Sequence, residues 1–276
     1  MIGRALRAGQ AAAEAAILRL PAGGADLSQC EVIGQTANRP WALPDEPWLM
    51  AQTWRDLLFA HWALPPGEVE RILPRALELD TFDGRAWIGV TPFEVSGLRP
   101  RGAPPVPAIS RFPELNVRTY VTLGGKPGIF FLSLDAASRL AVLAARRAYR
   151  LPYFHAGMAI IRRGEHVRYE SRRISQDGEP AAFEADYGAC GGVFQAEPGS
   201  LEYFLAERYC LYTIDEAQRP LRADIQHPPW PLQPATAEIR VNTMTAPWRI
   251  GLPDEPPLLH YARLQRVLIW PLRPAG

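Results

Sequence analysis

Apolar and polar positions along this chain alternate in short runs more often than they follow a helical period. The clearest run is Glu114 to Val121. Glu114, Asn116, Arg118 and Tyr120 share one face, and Leu115, Val117, Thr119 and Val121 share the other. The next run, Ile129 to Leu134, reads IFFLSL and is apolar on both faces apart from Ser133. That is the pattern of a strand covered on both sides. Gly124 to Gly128, GGKPG, is short and turn-like, so the two strands pair as a hairpin. Cover over the second strand implies cover over the polar face of the first. A Glu, an Asn, an Arg and a Tyr under cover need partners, because unpaired buried charge is costly. The polar row is either a pocket wall or a structural network, and both readings stay open.

A helix follows, Ala136 to Tyr149, with Asp135 as its N-cap. Ala137, Leu140, Ala141, Ala144 and Ala148 form its apolar face. Arg139, Arg146, Arg147 and Arg150 decorate a solvated remainder rather than an anion site, and Pro152 ends the register.

The rest of the chain reads as strands and turns. Trp54 to Leu64 is a strand, and Pro65-Pro66 starts a short helix, Gly67 to Leu73. Leu77 to Phe82 and Arg85 to Val95 form a hairpin about Asp83-Gly84. Leu98 to Pro107 is a proline-rich loop unsuited to a central strand. Ala156 to Arg163 and Val167 to Ile174 form a hairpin about Gly164. Ala181 to Cys190 is a strand, Ser200 to Ala206 a helix, and Tyr209 to Ile214 and Pro220 to Ile225 are strands. His227 to Pro234, HPPWPLQP, is stiff and extended, and Pro257 to Pro271 is a long final strand. Roughly ten strands and three or four helices, mostly in hairpins, point to a predominantly β, α+β protein built as an antiparallel or mixed barrel.

Composition narrows the class. Of 276 residues, 47% are hydrophobic and 21% charged, and the net charge is +1. No bulk field favours nucleic acid or a membrane surface, and no basic patch with interleaved aromatics exists. Among 30 basic residues only Lys126 is a lysine. Three scattered cysteines suit a reducing cytoplasm. No apolar run reaches the roughly 20 residues of a membrane span. Arg4, Arg7, Glu14 and Arg19 argue against a signal peptide. Residues 21–40 show no period. The expectation is a disordered or weakly helical tail over residues 1–40, then a single domain over 41–276.

Much familiar chemistry is missing. There is no GxSxG, GxGxxG or phosphate loop, and the five histidines lack metal-ligand spacing. No cofactor is expected. His61, beside Trp62, reads as a structural histidine, and Cys190 as a small buried residue.

Six stretches carry a family resemblance: MAQTWRDLLFAHW (Met50–Trp62), LELDTFDGRAWIGVTPF (Leu77–Phe93), FPELNVRTYV (Phe112–Val121), KPGIFFLSLDA (Lys126–Ala136), HPPWPLQPA (His227–Ala235) and LLHYARLQRVLIWPL (Leu258–Leu272). From about Pro47 to Pro271 the chain resembles the YqjF family, DUF2071, which is distantly similar to the acetoacetate decarboxylase superfamily. The resemblance implies a β-barrel with flanking helices around a buried pocket. In decarboxylases of that superfamily, a strand carrying a pocket glutamate leads to a hairpin and a helix. A loop then supplies adjacent lysines, one of which forms a Schiff base. Glu114 stands in the glutamate-like place here, but Tyr153 and Phe154 stand where the lysines would be. Neither can form an imine, and Lys126 sits in the hairpin turn. The resemblance thus implies a pocket for a small carboxylate- or carbonyl-bearing molecule, without Schiff-base chemistry. Glu114 and Tyr153 are the catalytic candidates, for a lyase or hydratase. Asn116, Arg118 and Tyr120 are the ligand-binding candidates. A non-catalytic binding or sensor domain, and a barrel with an internal polar network, are the alternatives. The expected partner is a small molecule, with no nucleic acid, no membrane and no metal; association with like chains is left open.

Overall fold

The computed structural model describes residues 31–106 and 109–275. Among them, thirteen strands and three α-helices alternate as hairpins and excursions. The strands are β1 (Met50–Leu64), β2 (Glu78–Leu79), β3 (Ala86–Pro100), β4 (Phe112–Leu123), β5 (Lys126–Ala136), β6 (Tyr153–Arg163), β7 (His166–Arg173), β8 (Ala182–Ala189), β9 (Cys210–Ile214), β10 (Pro220–Gln226), β11 (Gln233–Asn242), β12 (Leu258–Ile269) and β13 (Arg273–Pro274). The helices are α1 (Pro66–Glu70), α2 (Arg139–Tyr149) and α3 (Leu201–Ala206).

Seven strands close on themselves. β12 pairs with β1, β1 with β3, β3 with β4 and β4 with β5, all antiparallel. β5 then pairs with β9 in parallel, β9 with β10, and β10 returns to β12. β6, β7, β8 and β11 branch from β5 and rejoin at β12. The fold is mostly β, as the alternating runs imply.

β4 sits in the middle of this arrangement. Residues 114–121 are buried on both faces, so the polar row lies under cover. The β4–β5 turn is two residues, Gly124-Gly125, with φ of 58° and 75°. Two successive positive φ values define the mirror-image turn whose twist matches a hairpin, and glycine takes it without a Cβ penalty.

Several expectations are corrected. Ser138, not Asp135, caps α2: its side chain accepts from the Ala141 N–H. Asp135 is fully buried at the end of β5 and paired with Arg173 at 2.7 Å, so its carboxylate is not available to a helix. Leu140 is exposed rather than on the apolar face, while Val142 and Tyr149 are buried. The Asp83-Gly84 turn forms, closed by a Phe82–Arg85 bridge, but β2 pairs with β4 instead of β3. β3 runs through Leu98 to Pro100, where Pro100 is its last residue and needs no ladder donor. α1 is shorter than expected. β11 is a strand in a region read only as a stiff segment followed by nothing named. Cys190 is exposed and Cys210 is the buried one. Lys126 begins β5, with its ammonium 5.5 Å over the Trp41 ring, instead of capping a solvated turn.

Residues 1–30 lie outside the described residues. Residues 31–40 are packed: Val32 is buried, and Gln226 Nε2 donates to the Gln35 carbonyl at 2.7 Å. Arg39 pairs with Asp224 at 2.6 Å, both side chains almost wholly buried. These partners lie in β10, far along the chain, so local pattern did not reveal them.

Candidate functional site

Each of the seven ring strands contributes a side chain to one cavity of about 170 Å³. Met50, Phe93, Glu114, Ile129, Leu211, Ile225 and Ile269 come from β1, β3, β4, β5, β9, β10 and β12 in turn. α2 closes one side with Ala141, Ala144, Ala145 and Ala148. The lining is mostly apolar, with a few polar groups among it, as ligand cavities generally are.

Glu114 enters from β4 and is 6% exposed. Its Oε2 accepts the Tyr153 hydroxyl at 3.1 Å. Burial pushes its carboxyl up to about 8, and the Tyr153 bond opposes part of that rise. Glu114 is therefore protonated at neutral pH. Tyr153 opens β6, which runs parallel to β5 and pairs Tyr153 with Leu134. Its phenol is pushed well up, by burial first and the neighbouring Glu114 second.

Arg118 is shaped by a row across three strands. His61 on β1 faces Gly89 on β3, and Gly89 faces Arg118 on β4. A Cβ on Gly89 would lie 2.9 Å from the His61 ring and 3.4 Å from the Arg118 stem. The missing side chain lets both flanking groups fold over it. The Arg118 guanidinium lies 5.0 Å from the Phe59 ring and 5.8 Å from the Tyr120 ring, and its Nη2 makes a long 3.5 Å bond to the Leu205 carbonyl. It has no ion pair among the described residues, and its Nε is buried without a hydrogen-bond partner. Asn116 Oδ1 is buried and unpartnered as well.

Glu114, Asn116, Arg118 and Tyr153 thus meet at one cavity. Glu114 and Arg118 do not pair with each other, as their spacing along a strand implies. Tyr120 stands apart from the lining. Its hydroxyl lies 2.7 Å from His61 Nε2 and donates to the Leu205 carbonyl at 3.0 Å. With that proton committed, His61 Nε2 carries the hydrogen between the rings, and its buried Nδ1 is a bare acceptor. Burial, then the nearby Arg118, holds His61 neutral. Phe154, beside Tyr153, packs under the Arg173 guanidinium at 4.0 Å.

Sequence reasoning missed part of the wall. Arg208 lines the cavity while paired with Asp80 at 2.6 Å. His227 places Nδ1 2.8 Å from the Pro228 carbonyl and Nε2 3.2 Å from that of Arg208, and burial pulls its pKa down against the opposing pull of Glu207 and those carbonyls. Trp230 packs edge-on against Phe59 at 4.9 Å. The last two lie in or beside HPPWPLQP, whose clustered prolines and tryptophan were the available signal. Among the described residues no cluster of three or more His, Cys, Asp or Glu could hold a metal ion. No described helix is long and apolar enough to cross a membrane.

Comparison with known proteins places this geometry. A family model, DUF2071, described as an uncharacterised conserved protein, matches residues 51–266. The uncharacterised protein YqjF of Bacillus subtilis (strain 168) is 50% identical over 232 residues, covering 84% of this chain and 95% of that one. Among solved structures, acetoacetate decarboxylase from Legionella pneumophila superposes with a TM-score of 0.54 at 11% identity, over 89% of this chain and 95% of that one. The enduracididine biosynthesis enzyme MppR, complexed with the condensation product of pyruvate and imidazole 4-carboxaldehyde, gives 0.57 at 10%, over 83% and 89%. An acetoacetate decarboxylase-like enzyme from Sphingomonas wittichii RW1 gives 0.56 at 12%, over 86% and 98%. At these identities the likeness is one of fold.

Proposed function

The chain belongs to the DUF2071 family, and from that premise we propose that its cavity binds a small carboxylate bearing a carbonyl or hydroxyl group and transfers a proton to it from Glu114. The observation that carries this reading is the state of Glu114. It is a buried carboxylic acid, raised to about 8, in the wall of a ligand-sized cavity. A general acid works best when its pKa lies near the working pH. Tyr153 donates to Oε2, so the proton of Glu114 sits on Oε1, where a ligand oxygen can receive it. Arg118, without a carboxylate partner among the described residues, takes the ligand's carboxylate, and Asn116 Oδ1 accepts from a hydroxyl.

The chemistry this supports is lyase- or hydratase-type proton transfer without an imine. Lysine is absent from the cavity lining, and Lys126 lies against Trp41. MppR is seen with pyruvate bound, which makes 2-oxo acids a reasonable first panel. An engineered cavity of about 150 Å³ admits benzene, so a ligand of roughly six to ten non-hydrogen atoms fits here.

The test starts with the purified protein. Native mass spectrometry should reveal a co-purifying small carboxylate, or a carboxylate panel should yield a binder. Each binder is then incubated in D₂O. Enolisation balances when Glu114 gives its proton to the carbonyl oxygen and solvent water takes one from the neighbouring carbon, so deuterium should enter that carbon with the wild-type protein and not with Glu114→Gln. Binding without any Glu114-dependent exchange or turnover would make the protein a binding module and remove the catalytic half of the proposal.

A further inference from the structure

Trp230 has no place in the polar row, yet among the described residues its indole is a buried donor of the cavity wall without a partner. We infer that Trp230 is a second recognition residue, whose Nε1–H and the Arg118 guanidinium together grip the carboxylate of a compact apolar monocarboxylate. The inference rests on the carboxylate-binding reading of Arg118 and extends it.

Both side chains pack on Phe59. The Arg118 Cζ lies 5.0 Å from the Phe59 ring centroid, and the Trp230 ring centroid lies 4.9 Å from it. The guanidinium carbon and the indole centroid are therefore no more than about 10 Å apart. A carboxylate that accepts one bond of about 2.9 Å at each oxygen spans roughly 8 Å from donor to donor. That bound leaves room for one carboxylate between the two side chains.

Both are also unsatisfied. Trp230 is 2% exposed and Arg118 5%, and neither Nε1 of the first nor Nε of the second has a partner among the described residues. A buried donor without an acceptor is costly, and an occupied cavity removes that cost. Trp54 shows the ordinary arrangement, since its Nε1 donates to Gln52 Oε1 at 2.7 Å. Nothing about the placement of Trp230 depends on its indole nitrogen. Its ring stacks on Trp54 at 6.0 Å and meets Phe59 edge-on, and its backbone N–H donates to Glu207 Oε1 at 2.9 Å. An indole N–H donates and cannot accept, so it suits an oxyanion. The remaining wall, with Trp54, Phe93 and the α2 alanines, suits a flat or branched apolar body.

Benzoate and its neutral isostere benzamide are the probes, measured by calorimetry against the full chain. Wild type should bind benzoate in preference to benzamide. Trp230→Phe keeps the aromatic wall and removes the donor. It should weaken benzoate by about tenfold and leave benzamide nearly unchanged, while Arg118→Met abolishes benzoate binding. Equal benzoate affinity in Trp230→Phe would overturn the inference and leave the Arg118 reading standing. No benzoate binding by wild type, or unimpaired binding by Arg118→Met, would overturn both. A second measurement needs no variant. In ¹⁵N spectra of the wild type, one indole N–H signal should move downfield as benzoate saturates; saturation with every indole signal unmoved would overturn the inference.

Discussion

Tyr153 gives its phenolic proton to Glu114 Oε2 across 3.1 Å, and among the described residues this is the one hydrogen bond the Glu114 side chain receives. The two residues stand 39 positions apart on β4 and β6, which are not neighbours in the sheet. β5 lies between them, antiparallel to one and parallel to the other.

Burial of Glu114 sets a pH dependence, which that bond partly offsets. Glu114 titrates near 4.5 in a model peptide and near 8 in the folded protein. Below about pH 4.5 both states hold the proton, and the stability from keeping Glu114 neutral is fully present. As pH rises from there towards 8, the unfolded chain releases the proton and the folded one keeps it, so stability falls. At 1.36 kcal/mol per unit, the loss is on the order of 5 kcal/mol. Urea melts at pH 5, 7 and 8.5 should show this slope in wild type and a flatter profile in Glu114→Gln. Tyr153→Phe should push the Glu114 pKa above 8, and parallel slopes in all three proteins would refute the assignment.

Arg118→Met tests whether the polar row holds the barrel together. Removing one partner of a buried ion pair costs about 3–5 kcal/mol. Arg118 has no such partner among the described residues, so its replacement should change stability by less than about 1 kcal/mol while abolishing carboxylate binding. A large loss in denaturant melts would make the row structural.

Gly89→Ala should be destabilising although its backbone is ordinary. The new Cβ would sit 2.9 Å from the His61 imidazole, which is itself wedged against Tyr120. Overpacking of this kind costs about 1–3 kcal/mol. Thermal melts that leave the midpoint unchanged would show that His61 has room to retreat.

A disordered tail over residues 1–40 would contribute nothing to the thermal midpoint. The packing of Arg39 reverses that expectation. Arg39→Met leaves Asp224 buried beside one remaining basic partner, Arg222, and should cost about 3–5 kcal/mol. Deletion of 1–40 should lower the midpoint at least as far, and a midpoint within 1–2 °C of wild type would show that the segment contributes nothing.

Borohydride treatment with pyruvate or acetoacetate should give no covalent adduct. Tyr153 and Phe154 cannot form an imine, and Lys126 is held beside Trp41, away from the cavity lining. A mass shift mapped to Lys126 would restore the Schiff-base reading.

The sequence by itself determined which residues share a face. Alternation from Glu114 to Val121 placed the charged row together, the Gly-Gly pair located the hairpin, and the Gly164 turn located β6 and β7. These are local properties, set by a period of two and by backbone freedom at glycine. Which faces meet is not local. Tyr153 reaches Glu114 only through the parallel β5–β6 pairing. Tyr120 leaves the cavity lining because its hydroxyl is claimed by Leu205 and His61. Asp135 leaves the cap position for Arg173, and residues 31–40 join the fold because Arg39 meets Asp224 across 185 positions. In each case a buried polar group needed a partner that only a segment distant in sequence could supply. The closing contact between β10 and β12 spans just two residue pairs, too few for any pattern along the chain to announce, yet it closes the ring of strands whose cavity Trp230 shares with the polar row.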